Sequence, residues 1–221
     1  MAQSQPTAIV IGYGPGIGDA SARAFAAEGY SVALIARDAA KVEAAAKALR
    51  ADGLDAVGIA ADAGDESSLV AALGAAREHF GDPEALLYNA ARFRMGSALK
   101  LTREEFLEDF QAGTAGALTA ARIVVPAMQA ARKGSILFTG GGFALYPSPE
   151  MPGLSVSKAG VRALASILAQ ELAPSGIRVG TVTVMGHVTP GTALDAAAVA
   201  QAFLALHRSP ADPATFEIQL R

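Results

Sequence analysis

The stretch Ala8 to Gly18, Ala-Ile-Val-Ile-Gly-Tyr-Gly-Pro-Gly-Ile-Gly, constrains this chain more than any other. Its β-branched residues Ile9, Val10 and Ile11 predict a buried strand of a parallel sheet. Glycines then stand at 12, 14, 16 and 18. Gly12 permits a turn where a Cβ would clash, Gly16 lets a pyrophosphate approach the main chain, and Gly18 lets the next helix lie close to the strand. Asp19 to Ala27 carries helix formers, and the free N–H groups at that helix start face the place of a bound phosphate. A glycine-rich turn by itself says little. Flanked by a strand and a helix, it predicts a dinucleotide site.

The same alternation continues along the chain. Strands are expected at Ser31–Ala36, Leu54–Ala60, Glu84–Tyr88, Gly134–Thr139, Ile177–Val184 and Thr215–Leu220. Helices are expected from Asp38 to Ala51, Asp65 to Phe80, Ser155 to Ala173 and Leu194 to His207. A long helical stretch runs from Arg103 to Ala131 with Thr102 as its N-cap. Repeated β-α units imply right-handed crossovers and a parallel sheet with helices on both faces. No linker, repeat or low-complexity segment divides the 221 residues, so one domain spanning 1–221 is expected.

Composition narrows the function. A net charge of −3 with no basic tail argues against nucleic acid. Without cysteine there is no disulfide framework, thiolate nucleophile or Cys-based zinc site, and no metal site is expected. The N-terminal Met1 to Thr7 lacks the basic start of a signal peptide, and the first apolar run is too short for a membrane span. A cytoplasmic protein is the expectation.

Several single residues follow from the map. Arg37 lies just past the second strand, where the adenosine ribose of a dinucleotide would sit; a guanidinium there suits a 2′-phosphate and favours NADP(H) over NAD(H). A solvated capping arginine is the structural alternative. Asp62, after the third strand, suits either the adenine amino group or a helix cap. Asn89 ends the fourth strand, placed to fix the neighbouring backbone or line the cleft, or to serve as a turn asparagine.

The chain resembles the short-chain dehydrogenase/reductase family over almost its full length. The resemblance is carried by Gly12-x3-Gly16-Ile17-Gly18, Arg37, Asp62, Tyr88-Asn89-Ala90-Ala91, Ser157-Lys158-Ala159-Gly160 and Gly176-Ile177-Arg178-Val179. It implies α/β class, a single doubly wound parallel-sheet Rossmann-type domain, NAD(P)(H) binding and oxidoreductase ancestry. In the family's Asn-Asn-Ala-Gly segment, Asn89 and Ala90 match while Tyr88 and Ala91 depart. The family places a tyrosine four residues before the lysine, whose charge lowers the tyrosine pKa for acid–base work. Here that position is Leu154. The family's serine, thirteen residues before the tyrosine, is Gly141, and its helical asparagine is Gly113. Lys158 remains, and Thr189 keeps the spacing of the family's carboxamide-contacting threonine.

Leucine and glycine transfer no proton, so a proton donor would have to come from another residue. Tyr146 lies in the loop after the fifth strand, Ser155 is three residues before Lys158, and His187 follows the sixth strand. Each has a plainer reading: a loop aromatic for Tyr146, a helix N-cap for Ser155, and an ordinary loop histidine for His187. His79 and His207 read as helix C-terminal residues set by the dipole, and Asp65-Glu66 and Glu104-Glu105 as acidic first turns. The expected function is an NADP(H)-binding oxidoreductase-type protein with a degraded catalytic set and weak or non-standard carbonyl/alcohol turnover on a small molecule. The alternative is a non-enzymatic NADP(H)-binding subunit or redox sensor, which the short stretch from Thr189 to Leu194 favours by leaving little lid. A homodimer or homotetramer is expected, with Leu164, Ile167 and Leu168 at the pairing helices.

Overall fold

The computed structural model describes residues 5–221, so Met1 to Ser4 of the N-terminal stretch lie outside the described residues. Seven strands form one sheet in the order β3-β2-β1-β4-β5-β6-β7. They are β1 (Thr7–Ile11), β2 (Ser31–Ala36), β3 (Ala56–Ala60), β4 (Pro83–Tyr88), β5 (Gly134–Thr139), β6 (Ile177–Val184) and β7 (Glu217–Leu220), and every pairing is parallel. Their apolar runs are continuous because helices cover both faces. Alternate residues point opposite ways: Ile9 and Ile11 join one core, Ala8 and Val10 the other.

One core is closed by α3 (Glu66–Phe80), α5 (Gly116–Ala131) and α6 (Pro152–Leu172). The other is closed by α1 (Ile17–Ala27), α2 (Ala39–Ala51) and α7 (Ala196–Arg208). The remaining helix, α4 (Arg103–Phe110), carries a capping box in which Thr102 and Glu105 exchange side-chain-to-backbone bonds of 3.1 and 2.9 Å. After β1 the chain winds toward β3, then returns past β1 to β4. The strand order therefore reverses between β1 and β4, where such sheets open a crevice at the C-terminal strand ends.

The elements differ from the sequence expectation in informative places. Residues 103–131 are not one regular helix: Gln111–Ala115 forms a π turn between α4 and α5. The turn frees the Ala112 carbonyl, which accepts the buried Tyr88 hydroxyl at 2.6 Å. It also presses Gly113 against α6, since a Cβ at Gly113 would meet Ser157 Oγ at 1.6 Å. The third strand starts at Ala56 and not Leu54, because the Leu54 amide closes α2 on the Leu49 carbonyl. Helix α6 starts at Pro152, whose fixed φ suits the first helical position. Ser155 is consequently not an N-cap: it sits inside the first turn, its hydroxyl donating to Met151 O at 2.9 Å and accepting from Ser148 N at 3.0 Å. Helix α7 starts after its Asp195 cap, and the last strand begins after a turn at Pro213–Thr215. Leu168 belongs to the core beneath α6, whereas Ile167 is 58% exposed. No helix among the described residues is long and apolar enough to cross a membrane.

His207 is more than a helix-terminal charge. Its Nε2 lies 2.7 Å from the Tyr30 hydroxyl and its Nδ1 lies 2.7 Å from Ser135 Oγ. Tyr30 donates onward to Glu84 at 2.9 Å, so the network assigns the proton to Nε2 and a neutral ring. Burial lowers its pKa from the ordinary 6.5, favouring the neutral ring in the folded state. The stability this contributes is complete above the unfolded pKa and is lost as pH falls through the lowered folded value. Denaturant unfolding followed from about pH 7 to about pH 5 should show stability falling toward acid, and His207→Gln should flatten that slope. Parallel slopes for the two proteins would contradict the assignment.

Candidate active site

The crevice at the β1/β4 reversal is built by close backbone approach. Gly12 holds φ at +81°, and a Cβ there would meet Ala90 N at 2.4 Å. Asn89, just past β4, donates from its side chain to Gly12 O at 2.8 Å and so fixes the turn. A Cβ at Gly18 would meet Tyr13 Cα at 3.0 Å, which keeps α1 close to the turn. Gly14 and Gly16 are different: a Cβ on either meets nothing within 4 Å. They face open space, and Gly16, the N-cap of α1, gives the helix no side-chain cap. The Gly16 and Asp19 amides both donate to Gly14 O, at 2.8 and 2.9 Å, and the amides of Ile17 and Gly18 in the first turn of α1 are left for an anion, which fits the diphosphate of a dinucleotide.

Two cavities meet here, sharing Asn89, Ala91 and Phe93. The smaller, about 220 Å³, is bordered by Gly12, Tyr13, Arg37, Asp62, Ala90 and Arg92. Arg37 is exposed there and makes no ion pair among the described residues. Asp62 is not the cap of α3, a place taken by Asp65, whose carboxylate accepts from Ser68 N at 2.7 Å. Instead Asp62 accepts from Gly64 N at 2.8 Å and faces Arg92 at 3.4 Å. Tyr13 donates to Asp19 at 2.7 Å, and burial raises its pKa. Sequence reasoning missed Tyr13 and Arg92, although both adjoin quoted motifs.

The larger cavity, about 680 Å³, runs from the glycine turn past Lys158 to the loop after β6. Lys158 is buried, and its Nζ donates to Thr139 O at 2.6 Å. Desolvation pushes its pKa down to about 8. Leu154, one helical turn earlier on the same face, is 3% exposed and lines the same cavity. A Cβ at Gly141 would touch the Lys158 side chain at 3.7–3.8 Å, an ordinary contact. Ile17 also lines the cavity. Tyr146 and His187 stand at its mouth, Tyr146 70% exposed, and neither has a hydrogen bond holding its side chain to Lys158. Ser155 is occupied by the Met151 carbonyl, and Thr189 lies off the cavity wall, its hydroxyl donating to His187 O at 3.3 Å. Arg94 pins the preceding loop to α4 through Glu105 at 2.8 Å and Glu108 at 2.9 Å, so Glu105 does more than start a helix.

Comparisons with known proteins agree with this geometry. Residues 6–199 match the family described as short chain dehydrogenase. The chain is 31% identical over 177 residues to the probable galactose dehydrogenase of Rhizobium meliloti, covering 79% of this chain and 68% of that protein. A short-chain dehydrogenase structure from Rhodopseudomonas palustris superposes with a TM-score of 0.86 at 29% identity, covering 98% of both chains. An alcohol dehydrogenase of the archaeon Thermococcus sibiricus, complexed with 5-hydroxy-NADP, gives 0.85 at 25% identity, covering 98% of this chain and 96% of that one. The chain spans between 49% and 70% of the length of the curated relatives it matches.

The buried amine yields a direct expectation. In the protein without cofactor, the Lys158 amine should titrate near 8, read from the ¹³C shift of reductively methylated lysines with Lys158→Met identifying the resonance. A midpoint at the ordinary 10.5 would show that water reaches the amine.

Proposed function

The chain belongs to the short-chain dehydrogenase family, and from that premise we propose that it binds NADP(H) with an oxidoreductase architecture whose proton-transfer set is depleted. The observation that carries this reading is one cleft holding both the open glycine cradle and buried Lys158, with Leu154 where the family's tyrosine would stand. Gly12, Gly16, Ile17 and Gly18 would form the diphosphate seat at the start of α1. Arg37 would take the 2′-phosphate, Asp62 the adenine amino group, and Asn89 and Ala90 would shape the wall. Lys158 would hold ribose hydroxyls with the N–H groups not given to Thr139. Thr189 would need the loop after β6 to move before it touched a cofactor.

When bound, the nicotinamide supplies or accepts the hydride. The chain's own contribution is alignment of cofactor and substrate in one cleft. Leu154 and Gly141 provide neither a proton nor a hydrogen bond for an alkoxide, so turnover is slow or uses another donor. The second reading, a non-enzymatic NADP(H)-binding subunit or sensor, needs only the seat and Lys158. The exposed Leu118 on α5 and Ile167 on α6 suit the proposed homodimer or homotetramer.

Two measurements test this. Calorimetric titration should give tighter binding of NADPH than of NADH, with the preference reduced or reversed in Arg37→Asp. Equal affinities unmoved by the substitution would remove Arg37 from the site. A missing general acid corresponds to roughly 10²–10⁴ in rate. Gly141 has room for a serine, so Gly141→Ser with Leu154→Tyr should raise ketone reduction by at least about tenfold. Gly113 is left alone, because Ser157 Oγ fills the place of its side chain. A native kcat on the order of 10 s⁻¹ on a simple ketone would overturn the depleted-set reading and turn attention to Tyr146 or His187.

A further inference from the structure

The larger cavity is chemically lopsided at the end away from the glycine turn. Its wall there is made by Phe93, Phe143, Met151, Leu154, Met185 and Val188. Around the whole cavity there is no carboxylate and no guanidinium. The nitrogen bases are Lys158, whose Nζ is already at Thr139 O, and His187 at the exposed rim. The apolar surface continues outward, with Phe93 76% exposed beside Tyr146 at the mouth. The polar side-chain groups the cavity offers a ligand beyond Lys158 and Asn89 are the Tyr146 hydroxyl and the His187 ring at the mouth, since the unpartnered Thr139 Oγ1 has no exposed surface.

We infer that this end takes a neutral, largely apolar ketone or secondary alcohol, with a cyclic or chain-like hydrocarbon body, and rejects polyhydroxylated and carboxylate substrates. The inference rests on the reading of the cleft as a nicotinamide-cofactor site, which occupies Lys158 and the glycine end. A sugar would bury several hydroxyls against Phe143, Leu154, Met185 and Val188, whose side chains offer no hydrogen-bond partner, and each unpaired group is penalised. A carboxylate would be desolvated without a free cation to pair it. A ligand with one oxygen needs only one partner, which the Tyr146 hydroxyl or the His187 ring at the mouth can supply. Hydrocarbon burial against the aromatic and methionine walls then supplies the affinity.

The test is direct binding to the protein saturated with NADP⁺, so that no ketone turns over. Calorimetry is run with 2-decalone, decahydronaphthalene-2-carboxylate and galactose as probes. The ketone should bind at least about tenfold more tightly than either other probe. Val188→Asp, at a loop position 40% exposed, should weaken the ketone about tenfold or more without moving the thermal unfolding midpoint. Equal or tighter binding of the carboxylate or the sugar, or no binding of the ketone, overturns the inference. A native protein that binds NADP⁺ but not the ketone overturns the substrate class alone. One that does not bind NADP⁺ yet still ranks the ketone first overturns the function proposed above and leaves the class standing.

Discussion

The contact between Gly12 and the Asn89-Ala90 backbone sets up everything else in the cleft. It joins the ends of β1 and β4, the two strands between which the sheet order reverses. No side chain fits between them, since a Cβ at Gly12 would lie 2.4 Å from Ala90 N. The Asn89 amide turns that proximity into a fixed geometry by bonding Gly12 O. Once the turn is fixed, Gly14 and Gly16 are held facing empty space and α1 presents its uncapped start to the same opening. An anion seat is thus a consequence of backbone packing at one point.

The other side of the cleft depends on a second set of close approaches. The π turn at Gln111–Ala115 gives the Ala112 carbonyl to Tyr88 and brings Gly113 and Thr114 onto α6. Gly160 accommodates this, for a Cβ there would meet Thr114 Oγ1 at 2.7 Å. These contacts fix the N-terminal half of α6 and carry Lys158 into the interior, where its amine finds Thr139 O. An ammonium held in such a place is depressed in pKa by lost hydration, with no carboxylate nearby to restore it. Tyr88 and Gly113 meet the same π turn: the Tyr88 hydroxyl bonds Ala112 O, and Ser157 Oγ takes the space where a Cβ on Gly113 would lie.

Arg162, one turn beyond Lys158, anchors the far edge of the sheet. Its guanidinium makes a bidentate pair with Glu217 of β7, at 2.7 and 2.9 Å, and Glu217 also accepts from Thr183 at 2.6 Å. The last strand is thereby tied to the helix that carries the buried lysine. The loop from Met185 onward, which forms the apolar wall, leaves the sheet between these two fixed elements.

Most of the architecture was legible in the amino-acid sequence. Continuous β-branched runs, glycine punctuation and capping residues such as Asp38, Asp65 and Thr102 are local signals, and local signals fix strands, helices and their alternation. The glycine turn, Arg37, Asp62 and Asn89 could be named for the same reason, each having a set place relative to a strand end, whereas Lys158 follows from the family resemblance. What the sequence could not decide arises between elements far apart in the chain. That Ser155 is spent on Met151 and Ser148, that Thr189 lies off the cavity wall, and that His207 bridges Tyr30 to Ser135 are outcomes of packing. The π turn is of this kind as well, because its driving contacts come from β4 and α6. Whether Lys158 meets water or a carbonyl, and whether the wall facing it is apolar, depends on which side chains the closed sheet brings together. That is set by tertiary burial, for which spacing along the chain carries no signal.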